Sequence, residues 1–421
     1  MKSVFRLLPP RHQSLRFFKT AVLGVVAMQV TAVAVLVAVD EVRKRRAPGG
    51  EGFPALDPLV TQVGDNRVTT FTEGRSLYQS MLAAIDQAQE SIYFETYIWK
   101  SDEVGKAFKD ALYRAADRGV KVYCIYDGFA NLVVDPRFKI FPKHSNLFVR
   151  KVPEIRSGLF TLNLRNTGRD HRKVMVVDSK IGFVGGYNIG KLYEDEWRDT
   201  HVRIDGDAVW ELENGFVDLW NTFRSFRQPR LPQQGAREWD TAIVAALNKP
   251  SQMLYPVRGM YIDALERAND HAYLTSAYFI PDAEILHALK AASRRGVEVK
   301  VLIPKNSNHV IADWVSSAFF DELLAAGIEI WLYDHAMIHA KTATIDERWS
   351  TVGTANIDRL SMFGNHEINL QFHSKSFAQQ MEQIFFNDLT TSEQLTAKKW
   401  AQRPIIQRFT ERLLKPLSPL L

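Results

Sequence analysis

Residues 171–188 read HRKVMVVDSKIGFVGGYN, and residues 339–356 read HAKTATIDERWSTVGTAN. Each stretch opens on His-x-Lys and carries an Asp seven residues after its histidine. Each closes on an Asn seventeen residues after it, through a turn rich in small residues. The match continues outward, because Asp199 and Glu367 each lie twenty-eight residues beyond their histidine. One such pattern can arise by chance in a long chain. Two copies that share every downstream offset mark one structural unit used twice, with its chemical groups kept both times.

The flanking sequence repeats as well. A helical pattern over 76–88 precedes SIYFETYIW (91–99), whose β-branched and aromatic residues predict a strand. A helix over 104–117 and a strand KVYCIYD (121–127) follow. The second half runs in the same order: helix 261–268, strand AYLTSAYFI (272–280), helix 283–293 and strand EVKVLIP (298–304). Arg118-Gly119-Val120 and Arg295-Gly296-Val297 are corresponding helix-to-strand turns. Alternation of this kind predicts an α/β fold with largely buried sheets. From the turn glycine to the histidine there are 52 positions in the first half and 43 in the second. The surplus falls in 131–170, a basic and apolar stretch expected to form a surface loop, with a lid or membrane-contacting flap as the sharper reading.

At 421 residues, 46% hydrophobic and 24% charged, the chain has room for two ordinary domains or one duplicated unit, and wholesale disorder is excluded. A net charge of +5 and a pI near 9.0 suit anionic partners without choosing between phospholipid and nucleic acid. The single cysteine, Cys124, excludes an intrachain disulfide and, within its apolar run, reads as an inert core thiol. Thr20–Val39 holds no charged side chain and is long enough to cross a bilayer as a helix. It continues past Ala32-Val33-Ala34, which favours an anchor over a cleaved signal peptide. Five cations before it and four within the next seven residues leave its orientation undecided. Arg46–Pro54 reads as a linker, and Arg403–Leu421 carries an amphipathic pattern suited to a core-packed or an interfacial helix. The expected division is an anchor and linker over 1–50, a first repeat over 51–240, a second repeat over 241–395 and a tail over 396–421.

In a strand, residues two apart share a face. His171 and Lys173 therefore point together, as do His339 and Lys341. Asp178 and Asp346 fall on the opposite face of a regular strand, which favours a structural role for them. Asp199 and Glu367, equivalent in the two halves, are the expected histidine partners. Bringing the halves together about a pseudo-twofold axis collects two imidazoles, two ammonium groups and the amides of Asn188 and Asn356. Imidazole can act as nucleophile or as acid and base near neutral pH. Lysine and asparagine suit the non-bridging oxygens of a phosphoryl group. No metal or other cofactor is expected, since the ammonium groups supply positive charge. His335 and His339 stand four apart but lack the Glu of a zinc helix.

The double HxKxxxxD pattern with Asn-ending turns resembles the phospholipase D superfamily over about Thr70–Phe385. ESIYFETYIWKSDEVG, AADRGVKVYCIYDG, GGYN, WRDTHVRIDG and SAYFIPD are similar to segments of bacterial cardiolipin synthases. The resemblance implies two α/β repeats packed as one bilobed unit with a single active site. Its signature counts His171, Lys173, Asp178, His339, Lys341 and Asp346 as the catalytic set. It further implies a phosphohistidine on His171, with His339 as acid and base and with Asp199 and Glu367 orienting the rings. Gly186 departs from the pattern, for the second repeat has Thr354 there. The implied activity joins two phosphatidylglycerols into cardiolipin with release of glycerol, at a bacterial cell membrane. Water as acceptor would make the protein a phospholipase D, and a nuclease is a third use of the same site. No nucleic-acid partner or obligate protein partner is expected.

Overall fold

A computed structural model describes residues 52–153, 168–403 and 408. The anchor expected at Thr20–Val39 and the tail beyond Arg403, except Arg408, lie outside these residues. Among the described residues no helix is long and apolar enough to cross a membrane.

The first repeat contributes β1 (Leu59–Val63), β2 (Asn66–Phe71), β3 (Ser91–Thr96), β4 (Lys121–Asp127) and β5 (Leu147–Val152). It continues through β6 (Val174–Val177), β7 (Ile181–Gly185), β8 (Trp197–Arg198) and β9 (His201–Asp205). Its long helices are α1 (Gly74–Gln87), α2 (Glu103–Asp117) and α3 (Val209–Phe223). The second repeat contributes β10 (Ile243–Asn248), β11 (His271–Ser276), β12 (Glu298–Pro304), β13 (Glu329–Tyr333) and β14 (Met337–Ile338). There follow β15 (Lys341–Ile345), β16 (Trp349–Gly353), β17 (Glu367–His373) and β18 (Ser392–Leu395), with helices α4 (Pro256–Arg267), α5 (Ala283–Arg294) and α6 (Lys375–Leu389).

Each repeat builds an eight-stranded sheet, ordered β1-β2-β9-β7-β6-β3-β4-β5 in the first and β10-β17-β16-β15-β11-β12-β13-β18 in the second. The six strands from β9 to β5 and from β17 to β13 correspond in order and direction. β3, β4 and β5 are parallel, as are β11, β12 and β13, and the remaining neighbours run antiparallel. The duplication is therefore a property of the fold as well as of the motif. β5 corrects the expectation of a continuous loop over 131–170. Leu147–Val152 pairs in parallel with β4 as β13 pairs with β12. Its mixed composition, LFVRKV, hides the strand because only its two ends are buried.

The Arg-Gly-Val turns have a common cause. Gly119 and Gly296 sit at φ +98° and +96°, the left-handed position that ends a helix and favours glycine. The preceding arginine reaches back: Arg118 Nη2 donates to the Ile85 and Ala88 carbonyls, and Arg295 Nη2 to those of Leu265, Glu266 and Ala268. Each turn thus closes α2 or α5 and also caps the end of α1 or α4, where carbonyls lack partners within the helix.

One apolar layer spans both repeats. Val176, Val184, Val202, Phe216 and Trp220 share it with Val352, Ile368, Leu370, Phe372 and Phe377. Burial at about 25 cal/mol per Å² of apolar surface holds the two sheets as one body. His171 and Lys173 come just before β6, and His339 and Lys341 at the start of β15.

Candidate active site

Two short crossings carry each histidine onto the other repeat. β14 pairs in parallel with β8, and His339 N–H donates to the Arg198 carbonyl at 2.7 Å. In the equivalent crossing Asp170 bridges His366, and His171 N–H donates to the His366 carbonyl at 3.1 Å. The residue after each acceptor is Asp199 or Glu367, so the carboxylates arrive across the repeats. His171 Nδ1 lies 3.0 and 3.1 Å from the two Glu367 oxygens. His339 Nδ1 lies 2.7 Å from Asp199 Oδ2. A ring whose Nδ1–H is held by a carboxylate presents Nε2 as its reactive nitrogen.

Lys173 and Lys341 donate to the backbone carbonyls of His171 and His339 respectively. All four side chains are buried. Burial lowers the Lys341 ammonium to about 7, against the pull of Asp199, and Lys173 also opposes its charge. It lowers Lys173 to about 8. Burial likewise lowers His171, with Glu367 opposing, and raises Asp199 to about 6, with Lys341 opposing. Burial at the site therefore disfavours its own cations, and an anionic phosphodiester would restore them.

Asn188 and Asn356 are buried at the ends of the Gly-rich turns, but they are not equivalent. Asn188 Oδ1 accepts from Ile98 N–H at 3.0 Å, which leaves its NH2 end to reach a ligand. Among the described residues Asn356 Oδ1 is buried without a hydrogen-bond partner. Asp178 and Asp346 stand outside the cluster. Each follows its strand in a turn whose two central residues have positive φ, 53° and 53° for Asp178-Ser179 and 54° and 50° for Asp346-Glu347. Asp178 accepts backbone N–H groups of Gln89, Glu90 and Ser91, and Asp346 those of Asn269, Asp270 and His271. Their carboxylates tie each hairpin to the start of β3 or β11 and do not meet the imidazoles.

The departure at Gly186 has a steric reason. A Cβ there would stand 2.2 Å from Asp199 Oδ1. In the second half Thr354 Oγ1 instead donates to Glu367 Oε2 at 2.5 Å. Glycine goes with the carboxylate that packs against the turn, and threonine with the one that its hydroxyl binds.

Sequence reasoning missed several neighbours. Tyr97 packs edge-on against His171 at 4.7 Å between ring centroids, and Trp197 lies 4.8 Å from the His339 ring. Tyr97 was expected inside a strand. The sheet ends at Thr96, whose hydroxyl donates to the Ile98 carbonyl, so the chain turns and brings Tyr97 to the site. Arg172 is a second omission: it binds both Glu95 oxygens, at 2.7 and 3.2 Å, with Asp170 beside it at 3.6 Å. The corresponding positions in the second repeat are Thr275 and Ala340, so this buried ion cluster supports His171 alone. Asp358, raised to about 6 by burial, caps a short helix through Ser361 N–H and lends negative potential to Lys341. Among the described residues no three His, Cys, Asp or Glu side chains are grouped to hold a metal ion.

Two α/β repeats that exchange carboxylates around paired histidines and lysines define the phospholipase D-like class. The chain belongs to the family described as "Cardiolipin synthase, PLD-like domain", which it matches over residues 81–220 and 261–389. It is 34% identical over 374 residues to a cardiolipin synthase of Listeria welshimeri, covering 86% of this chain and 77% of that protein. It is 32% identical over 368 residues to the major cardiolipin synthase ClsA of Bacillus subtilis, covering 85% and 76%. Among solved structures, the phosphatidylserine synthase of Haemophilus influenzae aligns with a TM-score of 0.64 at 14% identity, over 86% of this chain and 95% of that one. The polyphosphate kinase of Porphyromonas gingivalis aligns with a TM-score of 0.53 at 14% identity, over 85% and 53%. These last two likenesses concern the fold.

Proposed function

We propose that the protein is a phosphatidyltransferase that joins two phosphatidylglycerols into cardiolipin and releases glycerol. The observation that carries this reading is the reciprocal pairing of His171 with Glu367 and His339 with Asp199. It gives two imidazoles with Nδ1 occupied and Nε2 presented, beside two lysines. His171, kept neutral by burial, is the nucleophile. Its Nε2 lone pair forms a P–N bond while the P–O bond to one glycerol breaks, and His339 gives that oxygen its proton. The headgroup hydroxyl of a second phosphatidylglycerol then returns a proton to His339 and attacks phosphorus. The P–N bond breaks, which frees cardiolipin and regenerates His171. Lys173, Lys341, Asn188 and Asn356 hold the non-bridging oxygens, and Thr20–Val39 anchors the chain in a bacterial cell membrane.

The test is to supply the full chain with phosphatidylglycerol vesicles and follow glycerol and lipid products. Equal amounts of glycerol and cardiolipin are expected, with turnover nearly abolished in His171→Ala and in His339→Ala and unchanged by chelator. Phosphatidic acid as the sole lipid product would make water the acceptor and overturn the transferase. Wild-type turnover in either histidine variant would overturn the mechanism.

A further inference from the structure

The segment between β4 and β5 has two unlike faces. Val134 and Phe138 are buried in the first repeat's core, and the rings of Phe138 and Phe141 pack against Trp99 at 5.8 and 5.7 Å. On the other face Val133 is 87% exposed, Ile140 65%, Leu132 55% and Phe129 49%. The chain is not loose there. Lys109 Nζ donates to the Phe138 and Ile140 carbonyls at 2.5 and 2.7 Å, and Tyr113 to that of Pro142 at 2.9 Å. Lys139 Nζ donates to the Asn131 carbonyl at 2.8 Å. Four apolar side chains are thus held out in water by a stapled backbone, and such a patch marks an interaction surface.

Charge and position say what it meets. Arg137, Lys139 and Lys143 outnumber Asp135 within 128–146, and the Arg169 guanidinium lies 4.2 Å from the centre of the Phe129 ring. Apolar tips rimmed by cations fit an acidic phospholipid surface, where the tips enter the acyl boundary and the cations meet phosphate. The foot of the segment also reaches the site. Asn131 accepts from Trp99 N–H and donates to the Tyr97 carbonyl, both at 2.8 Å, and the Tyr97 ring packs on His171. Asp127, at the end of β4, accepts the Asp170 N–H next to His171.

We infer that the β4–β5 segment, through Phe129, Leu132, Val133 and Ile140 and its basic rim, docks on an anionic bilayer and sets the entrance of the active site against the lipid surface. The inference rests on the lipid-substrate reading above and adds the surface by which that substrate is approached. In the full chain, a polarity-sensitive fluorophore on Val133→Cys can be compared with one on Lys375→Cys, an exposed position on α6. The native Cys124 is buried and does not compete for label. With phosphatidylglycerol vesicles carrying acyl-chain quenchers, the probe at 133 should shift to the blue and be quenched several-fold more than the probe at 375. Equal quenching at the two positions would overturn the docking surface, and equal quenching at 133 on neutral vesicles would overturn the role of the cations. A second readout is the ratio of turnover on vesicles to turnover on monomeric short-chain phosphatidylglycerol. It should fall at least tenfold in Val133→Asp/Ile140→Asp, and an unchanged ratio would overturn the proposal. Absence of glycerol release by the wild type would count against the transferase alone, because the quenching contrast does not require turnover.

Discussion

At the scale of single residues, burial sets the charges of the site. Lys341 and Lys173 titrate near 7 and 8, and both lose positive charge as pH rises. Asp199 titrates near 6 and carries its charge above that value. For an anionic substrate, kcat/KM reports the free enzyme. It should rise through pH about 6 and fall between about 7 and 8. Lys341→Arg should move the falling limb upward, because a guanidinium does not titrate in this range. A rate profile flat from pH 7 to 9 in the wild type would refute the role given to the ammonium groups. Gly186 offers a steric test. A methyl group there meets the Asp199 carboxylate, which His339 and the Thr200 N–H hold in place. Gly186→Ala should therefore lower kcat at least tenfold with little change in melting temperature, while Thr354→Ser, which keeps the hydroxyl on Glu367, should lose less than threefold.

Among the elements, the hairpins are held by half-exposed carboxylates and a crossing by a buried ion pair. Asp346 satisfies three backbone N–H groups at the start of β11. Losing this half-exposed acceptor in Asp346→Ala should cost about 0.5–1.5 kcal/mol, because water can replace it at the exposed N–H groups. Thermal denaturation should show the loss, while the folded fraction keeps its kcat within a few-fold. A catalytic aspartate would give the opposite split. Arg198 is bidentate to Asp388 at 2.8 and 2.7 Å and also donates to Thr200 Oγ1 at 3.0 Å. It fastens β8 to α6 just before Asp199. Breaking this buried pair in Arg198→Ala should cost about 3–5 kcal/mol in denaturant titration, and kcat should fall with it as Asp199 loses its hold.

The two repeats behave as one body because their sheets share a core. Phe372 lies in β17 and stacks on Phe377 of α6 at 4.0 Å, in the same apolar layer as Phe216 and Trp220 of α3. Phe372→Ala should cost about 3–5 kcal/mol. Calorimetry should still find one transition, with a probe in the first repeat melting at the same lowered temperature. Two separated transitions would mean that the repeats fold independently. Independent folding would also be hard to reconcile with a site in which each histidine needs a carboxylate from the other half.

Much was written in the local sequence. The duplication, the α/β alternation, the helix-ending Arg-Gly-Val turns and the identity of the paired histidines and lysines follow from periodicity and repeated offsets, which depend on neighbours along the chain. Parity in a regular strand also sets Asp178 and Asp346 apart, but His171 and His339 precede β6 and β15 and both aspartates follow them, so the turn after each strand makes the separation. Other features required the chain to meet itself. Offsets are equal within each repeat, so they cannot say that Asp199 serves His339 and Glu367 serves His171. That exchange arises where β8 meets β14 and where Asp170 meets His366. Tyr97 and Trp197 reached the site in the same way, through a strand end and a crossing, and Arg172, inside the motif, gained its partner Glu95 only through the fold. The histidine motif supplied the reacting groups, but their protonation is decided by the burial that only two packed repeats provide.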